Sequence, residues 1–355
     1  MLQAYSSLLL TLFFGGFVVW GWLIWRLVKG EPILPRESRR PVPWSLVDLC
    51  LTFVLYIVVS IAAVSIVKPV SEQFASVDNE AVEEFEPNLP TDETERSLPM
   101  WKTMIALDTG VKALVAGLML AFIVLRYGAS LADFGLSVQH LANDVRIGVI
   151  TFLGMYLPMI ALQAALVYGL EWKYDHPLIE SVTESKDVML FALAIIATSV
   201  SAPLIEEFAF RGLLQGWLEK CCSGRSTYAE LVTGEQNFSA QELAAQRRPE
   251  KEPLAENPNA PPVPTEETEA AVEPRDQVPP TRRDWLAIVA STIVFSLLHY
   301  SHGPAWIPLL IFGAATGFVY QRTHRIVPGI VAHFLLNTTT MFGLWIQVFG
   351  PKLPE

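Results

Sequence analysis

Glu206, Glu207 and Arg211 lie directly after a long apolar run, Val188 to Pro203. Ionisable groups set among apolar segments are costly in lipid, so they face a bundle interior or a water-filled cavity and serve a function there. Two later apolar segments add imidazole and amide groups. His299 closes the stretch Phe295-Ser296-Leu297-Leu298, and His333 stands one helical turn before Asn337. A carboxylate, two imidazoles and an amide are the parts of a hydrolytic centre: a base, a proton relay and donors for a developing oxyanion.

The spacing separates the two acids. Glu207 and Arg211 are four residues apart, on one helical face, and can pair. Glu206 is turned from Glu207 by about 100° and stays free of the arginine. Glu206 is therefore the candidate general base and Glu207 the structural partner of Arg211. His299 can share a water with Glu206 and raise its nucleophilicity. His333 and Asn337 share a face and can serve either as oxyanion donors or as hydrogen-bond glue between helices. Blander readings exist for the others: a Glu–Arg pair ending a span, and a histidine reaching for the interface. One carboxylate and two histidines, Glu206, His299 and His333, also match the ligand types of a catalytic zinc site. The His-Glu-x-x-His spacing of many zinc peptidases is absent.

The elements that must position these groups are membrane helices. The chain has 355 residues, 52% hydrophobic and only 17% charged, with mean hydropathy +0.37. Soluble domains carry about 25% charged residues. A crossing helix needs about 20 apolar residues, and the pattern predicts eight spans: 7–28, 46–67, 103–125, 147–170, 188–218, 285–302, 304–321 and 326–348. The expected fold is an all-α polytopic membrane helix bundle of about eight transmembrane helices. The spans at 285–302 and 304–321 read as a tight hairpin. Gly313 and Gly317 form a small-x-x-x-small face for close helix packing. Trp44, Trp101, Trp285 and Trp306 fall near span ends, as interfacial anchors.

Three short loops are basic: 29–45 with Lys29, Arg36, Arg39 and Arg40; 126–146 with Arg126 and Arg146; and 322–325 with Arg322, His324 and Arg325. Eight spans put all three on one side, taken as cytoplasmic. Residues 70–100 are acidic and expected outside. Residues 223–284 are rich in Pro, Glu, Ala and Gln and expected to be disordered and cytoplasmic, with room for a short helix at 226–248. The organisation is then 1–187, N-terminal transmembrane helices, and 188–348, a catalytic core interrupted at 223–284. The net charge of -11 carries no basic stripe, which excludes nucleic acid as a partner. Cys50, Cys221 and Cys222 form no disulfide or zinc pattern, although the adjacent pair could be acylated. No repeat suggests a transporter with inverted halves.

Glu-Glu-x-x-x-Arg, Phe-x-x-x-His and His-x-x-x-Asn, in this order on successive spans, resemble the motifs of the CAAX-protease and bacteriocin-processing (CPBP) family. This family is also called the type II CAAX prenyl endopeptidase or abortive-infection family. The resemblance covers roughly 188–345 apart from the polar insertion. Ala202-Pro203-Leu204-Ile205, Phe210-Arg211-Gly212, Gly313 and Gly317 agree in detail. It implies an intramembrane endopeptidase acting on membrane-associated peptides or proteins, in the bilayer of a bacterial plasma (inner) membrane. It also implies Glu206 as base, His299 as water activator, His333 and Asn337 as the oxyanion pair, and Glu207–Arg211 as the structural pair. A glutamate mechanism without a cofactor is preferred, with zinc on Glu206, His299 and His333 as the alternative. A third reading is a non-catalytic immunity or scaffold protein, against which the complete residue set argues.

Overall fold

A computed structural model describes residues 2–37, 41–83, 93–172, 177–224, 226–234 and 283–350. Every regular element among them is helical. Ten helices follow in order: α1 (Leu2–Val28), α2 (Leu46–Glu83), α3 (Glu93–Tyr127), α4 (Leu141–Ala164), α5 (Pro177–Ser185), α6 (Val188–Ser223), α7 (Tyr228–Val232), α8 (Asp284–Leu297), α9 (Trp306–Thr323) and α10 (Val327–Phe349). Seven are long and apolar enough to cross a membrane; these are α1, α2, α3, α4, α6, α9 and α10. The protein is an all-α polytopic membrane bundle. Its outward faces carry exposed Phe13, Phe14, Phe17, Phe53, Val54 and Ile57, side chains at home against lipid, and helices pair most of their backbone polar groups internally.

The expected crossing at 285–302 takes a different form. α8 has 14 residues, about 21 Å of helix against a hydrocarbon core of about 30 Å. It stops at Leu297, and a 3-10 turn, Tyr300–Ala305, returns the chain into α9. The hairpin is as tight as the glycines suggest: a Cβ on Gly317 would stand 3.0 Å from Gln215 Oε1 and 3.1 Å from Ile288. The helix stops just before His299, whose side chain is partly buried.

The three basic loops meet at one end. The Glu37 N–H donates to Arg322 O at 2.7 Å, and the Ile326 N–H to Gly135 O at 3.2 Å. Arg325 is buried there, donating to Asp144 Oδ1 at 2.6 Å and pairing with Glu37. Burial disfavours its charge, but the bonds to Glu37 and Asp144 outweigh it and raise the guanidinium above its ordinary value.

Trp44 corrects one expectation. It is fully buried, stacked on Phe134 at 5.1 Å, with its indole N–H donating to Leu213 O at 3.0 Å. The segment before α2 folds back under the bundle instead of lying at the interface. The Lys220 ammonium fastens it, donating to Trp44 O at 3.2 Å and to Glu230 O of α7 at 3.0 Å. α7 falls within 226–248, where the sequence left room for a short helix. It begins with a capping box, Thr227 with Glu230. Residues 235–282, and with them most of the segment expected to be disordered, lie outside the described residues. So do residues 84–92 of the acidic segment at 70–100, whose flanks continue α2 and α3. Cys50, Cys221 and Cys222 form no disulfide.

Candidate active site

α6 carries the acids, and it is not a uniform α-helix. Two π-helical stretches, Ile196–Ser201 and Glu207–Gln215, flank one α turn, Ala202–Glu206. π segments widen the helix and occur often at functional sites. Here they set the faces on which Glu206 and Glu207 emerge.

Glu207 and Arg211 are both fully buried and ion-paired at 3.3 Å. The space for the Glu207 carboxylate exists because residue 329 on α10 has no side chain: a Cβ on Gly329 would stand 3.1 Å from the carboxyl carbon. Arg211 donates to Ser291 Oγ at 3.4 Å and lies over the Phe295 ring, 5.3 Å from its centroid. Ser291 donates to Gln215 Oε1 at 3.2 Å, and Gln215 donates to Gly317 O at 2.8 Å. A buried polar chain thus ties α6 to α8 and α9. A buried charge needs such a partner network to be tolerated.

Glu206 faces elsewhere, as the spacing predicts. Its Oε2 lies 3.9 Å from His299 Nε2 and 3.9 Å from His333 Nε2. This oxygen is buried without a hydrogen-bond partner, while the side chain as a whole is 23% exposed. The site is therefore recessed but open on one side. His299 Nδ1 is 2.9 Å from Phe295 O. A carbonyl only accepts, so Nδ1 carries the proton and Nε2 presents its lone pair toward Glu206. His333 is buried, 3.5 Å from Glu207 Oε1 through Nδ1, with its ring against Phe312 at 4.7 Å. No aligned hydrogen bond engages that Nδ1, so Nε2 can carry the proton and donate toward the same point.

Five of the six singled-out residues thus converge through α6, α8 and α10. Asn337 is placed differently: its amide donates to the backbone carbonyl of Thr198, in the first π stretch, at 2.6 Å. Sequence reasoning missed Ser291, Gln215 and Gly329, whose roles depend on inter-helix contact. It also missed Asp108 and Lys112, an ion pair at 2.6 Å in the middle of α3. Lys112 lies within electrostatic range of Glu206 and Tyr56. Opposite charges four apart in an apolar helix were the available signal.

Zinc would take Glu206, His299 and His333 as its ligands. The donor types suit it, but donors on one tetrahedral zinc stand about 3.3 Å apart for bonds of about 2.0–2.1 Å. The Nε2–Oε2 separations are 3.9 Å. Among the described residues no group of three or more His, Cys, Asp and Glu has metal-holding geometry.

The sequence matches the family described as Rce1-like, type II CAAX prenyl endopeptidase, over residues 275–339. That interval includes His299, His333 and Asn337; the Glu206–Arg211 segment precedes it. No curated protein and no solved structure matches the chain. The recessed carboxylate between two imidazoles, on a polytopic bundle, agrees with that match, which supports membership of the CPBP family of CAAX-protease-like membrane proteins.

Proposed function

We propose that the protein is an intramembrane endopeptidase of the glutamate type. A separation of 3.9 Å between Glu206 Oε2 and each Nε2 is beyond direct hydrogen-bond reach and is one a single water bridges. Water held there gives one proton to Glu206 and directs the other to the lone pair of His299 Nε2. The oxygen attacks the peptide carbonyl as the proton passes to Glu206. The carbonyl oxygen becomes an oxyanion facing His333 Nε2–H and the second amide hydrogen of Asn337. The tetrahedral adduct collapses, the C–N bond breaks, and Glu206 returns the proton to the leaving amine. Glu207 and Arg211 stay paired throughout and hold the π stretch in place. The substrates are membrane-associated peptides that reach the open side of Glu206.

The observation that carries this reading is the partnerless buried Oε2 of Glu206, equidistant from two imidazoles on separate helices. The test is a cleavage screen of membrane-bound peptides, read by mass spectrometry, with the full chain in nanodiscs beside Glu206→Gln. Cleavage by the wild type and none by the folded variant is the expected result. Equal cleavage by both removes Glu206 as the base.

A further inference from the structure

The first π stretch of α6 leaves a backbone group unserved. Within it the Ala202 N–H donates to Ala197 O, five residues back. In α-helical register that N–H would have served Thr198 O. In π register the carbonyl of Thr198 falls to the N–H of residue 203. Residue 203 is a buried proline, which has no N–H. With the Ala202 N–H committed to Ala197 O and no N–H at Pro203, Thr198 O receives a donor from neither position of its own helix. A bare carbonyl at apolar depth is strongly disfavoured. Asn337 Nδ2 donates to that oxygen at 2.6 Å.

We propose that Asn337 is a positioning residue whose side-chain amide stands in for the N–H that Pro203 cannot supply. The bond crosses from α10 to α6. It joins the helix that carries His333, four residues before Asn337, to the helix that carries Glu206, three residues after Pro203. It thereby sets the register in which Glu206 Oε2 faces His333 Nε2. What is positioned rests on the protease reading, but the bond itself is read by stability without any substrate. An amide nitrogen has two hydrogens, so this bond leaves one for an oxyanion. The two roles differ in when they act. A clamp holds the resting enzyme, whereas an oxyanion donor acts only in the transition state.

The test exploits the proline. Pro203→Ala restores an N–H at the position that π register assigns to Thr198 O. Thermal and denaturant unfolding of the full chain in nanodiscs would compare wild type, Asn337→Ala, the isosteric Asn337→Asp, Pro203→Ala and the two double variants. Leaving the carbonyl bare should shift the unfolding equilibrium by about 5- to 150-fold in Asn337→Ala and in Asn337→Asp. In the Pro203→Ala background the same substitutions should cost less than half as much. Any kcat deficit that persists after this rescue measures the oxyanion share; KM and the part of kcat lost through misplacement should return. The proposal is overturned if Asn337→Ala costs the same stability with and without Pro203. It is equally overturned if Asn337→Ala lowers kcat alone and leaves unfolding unchanged. If Asn337→Ala and Asn337→Asp do not fold, folded double variants support the clamp, and double variants that also fail refute it. Loss of cleavage by every form, with the stability rescue intact, would instead refute the protease reading.

Discussion

Replacing Glu207 by Gln tests the division of labour between the adjacent acids. Arg211 is fully buried and its guanidinium stands 3.3 Å from the Glu207 carboxylate. At an effective dielectric of about 20, that separation corresponds to about 5 kcal/mol of attraction. Gln keeps the shape and an acceptor oxygen but removes the charge, leaving a cation against Phe295 and Ser291. Breaking a buried pair from one side costs about 3–5 kcal/mol, equivalent to a fall of roughly 6–20 °C in melting temperature. Activity falls with it, because Glu206 is then the nearest remaining carboxylate to the arginine. The assay is thermal unfolding by tryptophan fluorescence in nanodiscs, alongside Glu206→Gln, which should melt close to wild type. Substituting both partners, Glu207→Gln with Arg211→Met, should recover most of the loss, since no orphan charge remains. A stable, inactive Glu207→Gln beside an active Glu206→Gln would show that the two roles are reversed.

Three further outcomes are expected. Turnover should survive chelation, and purified active protein should hold far less than one zinc per chain by elemental analysis; stoichiometric zinc with chelator-sensitive cleavage would reverse this. Asp187 caps α6 by accepting from the Leu190 N–H at 2.6 Å and pairs with Lys102 at 3.0 Å. The Leu190 bond, followed by Lys102, holds its carboxyl below the usual value. Its contribution is therefore complete above the unfolded value of about 3.9 and disappears as pH falls through the lower folded value. Asp187→Ala should cost about 1 kcal/mol at neutral pH, with a gap to wild type that narrows in acid unfolding curves. Single cysteines at the exposed positions Glu31, Ser130 and Tyr228 should react from the same side of sealed vesicles, and one at Glu180 from the other; labelling of Glu31, Ser130 and Tyr228 from different sides would contradict the shared end of the basic loops.

Much of the architecture was legible because lipid imposes a coarse rule. Long apolar runs must be helices, so span positions followed from hydropathy and the sidedness of three loops from their charge. The Glu207–Arg211 pair was legible for the same local reason: a spacing of four residues survives even the π geometry of the segment. Trp44 was misplaced because position near a span end says nothing about the chain before it folding back. The length of α8 was overestimated because Leu298 and Tyr300 extend the apolar run past the point where the helix stops.

Residue types and spacing by themselves determined that this is a membrane bundle holding a carboxylate, two imidazoles and an amide in order, with one acid of the pair committed to an arginine. Only the tertiary structure decided that Glu206 lies equally far from both imidazoles, that Gly329 makes room for Glu207, and that Asn337 serves a carbonyl stranded by Pro203. Hydropathy and helical periodicity act along one chain segment. Those three relations depend instead on how α6, α8 and α10 are packed against one another, and contacts between helices leave no periodic trace within any one of them.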